Sequence, residues 1–99
     1  MHRAWMVKLL FAAALARLTR ATKRRPVFPE AFHQLGSLLF SLNRNDEAMT
    51  VGAHGCELAP DVVELPILLG VIRHARHQRS EARTAFAKAL ALAPDHPGA

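Results

Sequence analysis

The stretch RHARHQR, residues 73–79, sets His74 and His77 three apart. At that spacing two imidazoles share a helix face and could grip a metal ion. No carboxylate or cysteine stands near them in sequence, and Arg73, Arg76 and Arg79 would repel a cation. They read better as cations near a helix C-terminus, where they complement the backbone dipole, and no metal is expected. His54 and Cys56 could suggest a thiolate activated by an imidazole. Two residues apart on a helix, however, they point in different directions. Cys56 occupies a place for a small buried apolar group, and as the only cysteine it excludes an internal disulfide framework. No glycine-rich phosphate loop, hydrolase elbow or carboxylate pair occurs. Neither an enzyme nor a cofactor is expected.

The remaining chemistry is charge. The net charge is +5, but residues 1–29 hold Arg3, Lys8, Arg17, Arg20, Lys23, Arg24 and Arg25 and no acid. The rest of the chain is slightly acidic, so the basic character belongs to the N-terminal segment. Arg17, Arg20 and Arg24 form one helical stripe. No aromatics are interleaved with it for stacking on bases, so nucleic acid is not expected as a partner. A membrane surface, met through residues 17–25, is the alternative. Residues 1–25 also admit a reading as a targeting or anchoring segment. Basic residues precede LLFAAALA, and Ala14-Leu15-Ala16 would be the cleavage site of a secretory signal. The apolar run between Lys8 and Arg17 is eight residues, far short of the roughly 20 a spanning helix needs. The main expectation is a cytoplasmic protein, with a membrane-associated or exported (periplasmic) one as the alternative.

These side chains must be positioned by elements. Ninety-nine residues rich in Ala and Leu allow one domain. No alternating run of Val, Ile and Thr argues for a sheet. An internal repeat organises the chain. With Leu35 set on Leu69, LGSLLFSLNRNDEA lands on LGVIRHARHQRSEA, and LAPD at 58–61 lands on LAPD at 92–95. Eleven of the 34 pairs from Pro29 to Val62 are identical with no gap, against the roughly two or three of unrelated sequence. A fixed period of this size marks a repeat architecture. Each unit reads as two helices. They run over about 30–42 and 47–58, then 63–76 and 81–92, with Asp46 and Ser80 placed as N-caps. Pro29 suits a helix start, and Pro66 falls in a first turn. Short connections make the helix pairs antiparallel. Gly36 and Ala48, like Gly70 and Ala82, lie twelve apart on facing sides of a hairpin, where small residues allow close approach.

The pattern resembles the tetratricopeptide repeat. The resemblance rests on the period, Phe32, Leu35-Gly36, Leu39, Ala48, Gly55 and Pro60, and then on Leu69-Gly70, Ala82, Phe86, Ala89 and Pro94. The chain departs from the pattern at Gly52, Pro66 and Arg73. The resemblance implies an all-α array, a fragment of an α-solenoid, with repeats at 29–62 and 63–96. It also implies a non-catalytic scaffold, the repeat portion of a larger bacterial protein, that binds a peptide or protein segment. By the repeat register the concave groove is lined by Glu30, His33, Ser37, Phe40, Ser41, Glu64, Ile67, Val71, His74 and Ala75. The Lys and Asn pairs with which chaperone-binding relatives clamp a terminal carboxylate are not in this set.

The same register extends to both ends. One period before Ala48 and Pro60 stand Ala14 and Pro26. Residues 1–26 are thus expected to supply helix B of a partial preceding repeat, its stripe Leu10, Ala14, Leu18 and Ala21 facing the next helix. That makes about five antiparallel helices. Residues 97–99 align with the start of a further, truncated repeat. The outer side of residues 81–92, with Phe86, Ala89 and Leu92, then lacks a following helix. This predicts a homo-oligomer through the C-terminal helix.

Overall fold

The computed structural model of the chain describes residues 4–93. The described residues form five helices and no strand: α1 (Ala4–Thr22), α2 (Pro29–Ser41), α3 (Asn45–Leu58), α4 (Glu64–Ala75) and α5 (Arg79–Leu92). The expected start of a further repeat at 97–99, and the last residues of the second unit, lie outside the described residues.

The helix starts follow local chemistry. Pro29 opens α2, where its missing N–H costs nothing. Acidic residues stand in the first turns of α2 to α5, favourable to the N-terminal dipole. Pro66 is the third residue of α4 and is buried. Its ring sits where the backbone N–H would have no intrahelical partner, so it does not delay the helix. The expected caps are corrected. The residues before α3 and α5 are Arg44 and Gln78, and neither makes a side-chain capping bond. Asp46 lies inside the first turn of α3 and pairs with Arg76 instead, and Ser80 is the second residue of α5.

The two hairpin turns share one mechanism. Arg44 N–H donates to the Leu39 carbonyl at 2.8 Å and Asn43 N–H to that of Phe40 at 2.9 Å. In the second turn Gln78 N–H reaches the Arg73 carbonyl at 2.8 Å and His77 N–H that of His74 at 3.0 Å. This pair of bonds is the Schellman closure, which demands a left-handed residue just past the helix. Asn43 at φ 65° and His77 at φ 62° supply it, at equivalent places in the two repeats.

Each helix packs on its neighbours in sequence, and α2 also packs on α4. Helices α1, α3 and α5 make no packing contact with one another. The chain is therefore two layers. The closely spaced α2 and α4 form one, and α1, α3 and α5, spread apart, form the other. The array curves towards α2 and α4. Phe32, Leu65 and Ile72 are the largest fully buried side chains. Leu35, Leu39, Ala48, Leu68 and Ile72 form one core cluster, against which Leu15 and Leu18 of α1 pack. The α1 stripe departs from expectation at one place. Ala14, Leu15, Leu18, Ala21 and Thr22 are partly buried, but Leu10 is 65% exposed.

Candidate functional site: the inner face of α2 and α4

The inner face is set by which sides of α2 and α4 the core consumes. On α2, Ala31, Phe32, Leu35, Gly36 and Leu39 turn inward and are buried. On α4, Leu65, Pro66, Leu68, Leu69, Gly70 and Ile72 do so. None of the ten groove residues expected from the sequence is buried. Glu30, Ser41, Glu64, Val71, His74 and Ala75 are exposed, and His33, Ser37, Phe40 and Ile67 are half-buried. Phe40 also packs against the core cluster, so only part of its ring faces out.

Three of the ten surround one hollow. Glu30, His33 and Glu64, with Pro29 and Val62, line a cavity of about 480 Å³ between the start of α2 and the start of α4. Glu30 accepts a hydrogen bond from Gln34 Nε2 at 3.2 Å. Ser41 Oγ donates to the Leu38 carbonyl of its own helix at 2.8 Å. Val71 is 41% exposed, the one large apolar side chain of α4 so open to solvent. The face thus offers an apolar middle with carboxylates and an imidazole at one end.

Two further hollows stand at related places in the two repeats. The larger, about 500 Å³, lies between α1 and α3 over Leu35 and Leu39 of α2. The smaller, about 280 Å³, is lined by Leu69, Arg73, Glu81, Thr84, Ala85 and Lys88. Five of those six positions lie one repeat period on from residues lining the first. The first opens between two outer helices, whereas the second is lined by α4 and α5 alone.

The side chains capable of reaction have plain surroundings. The His54 ring stands edge-on to Phe32, with centroids 5.6 Å apart. Cys56 is half-buried rather than fully covered. Burial pushes its thiol up from the ordinary range, with Lys88 opposing, the reverse of what a nucleophile needs. Among the described residues no three His, Cys, Asp or Glu side chains converge as a metal site. Arg44 donates to Glu47 at 2.8 and 2.7 Å. That hydrogen bond holds the exposed Glu47 carboxyl below its ordinary value.

No protein-family model matches the chain, and no curated protein matches it. Among solved structures, the crystal structure of MamA is similar, with a TM-score of 0.77 and 25% sequence identity. MamA contains tetratricopeptide repeats. The fold of this chain is tetratricopeptide-like. The match covers 89% of this chain and 51% of the MamA chain, so the chain spans about half that chain's length. The tetratricopeptide-like array accounts for the two layers and for the periodic spacing of the turns and of these two hollows. The sequence reading missed the extent of bare apolar surface at the start of α1. Its signal was present: Trp5, Met6, Val7, Leu9, Leu10 and Phe11 follow one another with Lys8 as the single polar interruption.

Proposed function

We propose that the chain is a non-catalytic interaction module that holds an extended peptide segment of a partner protein along the α2–α4 face. The observation behind this reading is the solvent access of all ten register-derived residues, including the apolar Ile67 and Val71. Three of them, Glu30, His33 and Glu64, line a hollow with two carboxylates at its edge. An apolar strip with a few polar groups suits a ligand that buries alternate side chains and is oriented by one charged end. In the same reading residues 29–62 and 63–96 are two repeats, and α1 is helix B of a partial preceding one. Its packing on α2 parallels that of α3 on α4.

The test is selection of peptide ligands from a random display library on the full chain, followed by titration of the selected peptides. Val71→Glu and Ile67→Glu are expected to weaken them by about tenfold or more, a desolvated apolar contact being worth roughly 1.5–3 kcal/mol. Far-UV circular dichroism should not change, because Val71 is exposed and Ile67 is not a core residue. Peptides whose affinity is indifferent to both substitutions would place the binding surface elsewhere and refute the groove.

A further inference from the structure

Six of the ten exposed large apolar side chains of the described chain are Trp5, Met6, Val7, Leu9, Leu10 and Phe11, all in the first half of α1. No residue of α1 is fully buried, and only its second half packs on α2. At 3.6 residues per turn, Trp5, Met6 and Leu9 fall on the side turned away from α2 with Leu10 at its edge, and Ala13 and Ala16 continue that side. Further along, the same side carries Arg17 and Arg20, which with Arg24 and Ala21 surround one hollow. Lys8, Arg17, Arg20, Lys23 and Arg24 have no ion-pair partner among the described residues. One face of α1 is therefore apolar for three turns and then cationic.

We propose that α1 docks on an anionic phospholipid bilayer, with its N-terminal half sunk into one leaflet and Arg17, Arg20 and Arg24 at the phosphates. The order of the side chains fits this occupant. Apolar surface runs round the first turns except at Lys8, since Val7 and Phe11 are exposed on the opposite side. A bilayer surrounds such a segment and supplies anions immediately behind it, where a protein surface would cover one side. The single tryptophan lies at the tip, and Lys8, one turn on, has a long stem that can reach back to the interface. Length decides how deep the segment goes. Residues 4–16 reach about 20 Å against a hydrocarbon core of about 30 Å, or about 15 Å per leaflet, and no helix of the described residues is long and apolar enough to cross a membrane. The helix therefore lies tilted in one leaflet, with its arginines held at the phosphates. This inference does not rest on the groove.

Trp5 is the only tryptophan of the chain, so its emission reports the tip alone. The full chain is titrated with vesicles of phosphatidylcholine plus phosphatidylglycerol, and with phosphatidylcholine alone. The expected result is a blue shift, quenched by lipids brominated in their chains, with partitioning roughly tenfold stronger on the anionic vesicles and weakened by salt. Arg17→Glu with Arg20→Glu should abolish the preference for anionic lipid. Leu9→Glu with Leu10→Glu, at two exposed positions, should abolish the shift while circular dichroism stays unchanged. No shift on anionic vesicles at low salt would overturn the proposal. So would a Leu9→Glu, Leu10→Glu variant that still partitions like the parent. A shift that needs no lipid and grows with protein concentration would overturn it too, in favour of a second copy covering the helix.

Discussion

Gly36 and Gly70 occupy the same place in their repeats, yet they are filled in different ways. A Cβ on Gly70 would stand 2.6–2.8 Å from three atoms of the Phe86 ring, which belongs to the hairpin partner α5. A Cβ on Gly36 would stand 2.6 Å from Leu68 Cδ2, which belongs to α4, while the facing Ala48 carbonyl lies at 3.7 Å. The sequence expectation of a close approach within the hairpin therefore holds for Gly70. At Gly36 the tight neighbour comes from the following repeat. Gly52 explains the exchange, because it stands where the second repeat has Phe86. With no side chain there, Leu68 and Leu69 fill the space, Leu69 Cδ2 lying 2.9 Å from a Cβ built on Gly52. Gly70→Ala is expected to destabilise the fold by about 1–2 kcal/mol in urea titration, as overpacking does. The clash of a rigid ring outweighs the roughly 1 kcal/mol gained in helix propensity. In a Phe86→Ala background the same change should turn neutral or favourable, a coupling that a double-mutant cycle measures. Gly52→Phe, which restores the residue the repeat pattern favours, should cost about 1–3 kcal/mol, because Leu69 already holds its place. Cys56 gives a pH test. Its folded-state pKa is raised by burial, so the native state resists ionisation. Stability should fall as pH rises through the ordinary thiol range, and the native thiol should alkylate more slowly than in urea at the same pH. A native rate equal to the unfolded one would contradict the burial.

The helices were legible because two signals agree over the same residues. The match between the two units fixed how many there are, and Pro29, Pro60 and the short polar turns fixed where they break. Helices α3 and α5 start two residues earlier than the sequence predicts, for a physical reason. Capping chemistry points to Asp46 and Ser80, whereas the Schellman turns end with Arg44 and Gln78, and the next helix begins at once. Asp46 was thereby free to reach Arg76, whose Nη1 also lies 3.3 Å from Met49 Sδ. That contact joins the end of α4 to the start of α3 and has no signature in a linear sequence. The turns give a prediction with opposite signs at equivalent places. Asn tolerates the left-handed region, but a histidine does so at a cost of about 1 kcal/mol. His77→Gly should raise the urea midpoint by an amount worth about 0.5–1 kcal/mol, since glycine takes that φ freely. Asn43→Ala should lower it by a similar amount. If His77→Gly is destabilising, the His77 side chain contributes more than its backbone costs.

At the scale of the whole chain, the ten residues that repeat register alone names are all accessible. Register could not say how the ends are covered. On α5, Ala89 is buried against α4 and Phe86 lies over Gly70, so two of the three residues expected to lack a neighbour have one. Leu92, together with Leu90, is left exposed. Helix α1 divides in the same manner. Its second half gives Leu15 and Leu18 to the core cluster, while residues 5–11 touch solvent throughout. Two truncations separate these halves. Removing residues 1–11 takes away only exposed side chains among those described, and the melting temperature should stay within about 2 °C, the shift that about 0.5 kcal/mol or less produces. Removing residues 1–22 uncovers Leu35 and Leu39, which floor the slot beside α1. Losing two partly buried leucines at about 1–2 kcal/mol each should lower the melting temperature by roughly 5 °C or more for a chain of this size, as two repeats alone fall below the usual minimum of about three. Thermal unfolding followed by circular dichroism decides between them. Equal melting for the shorter chain and the parent would mean that α1 is an appendage, and that α2 to α5 carry the whole stability of the fold.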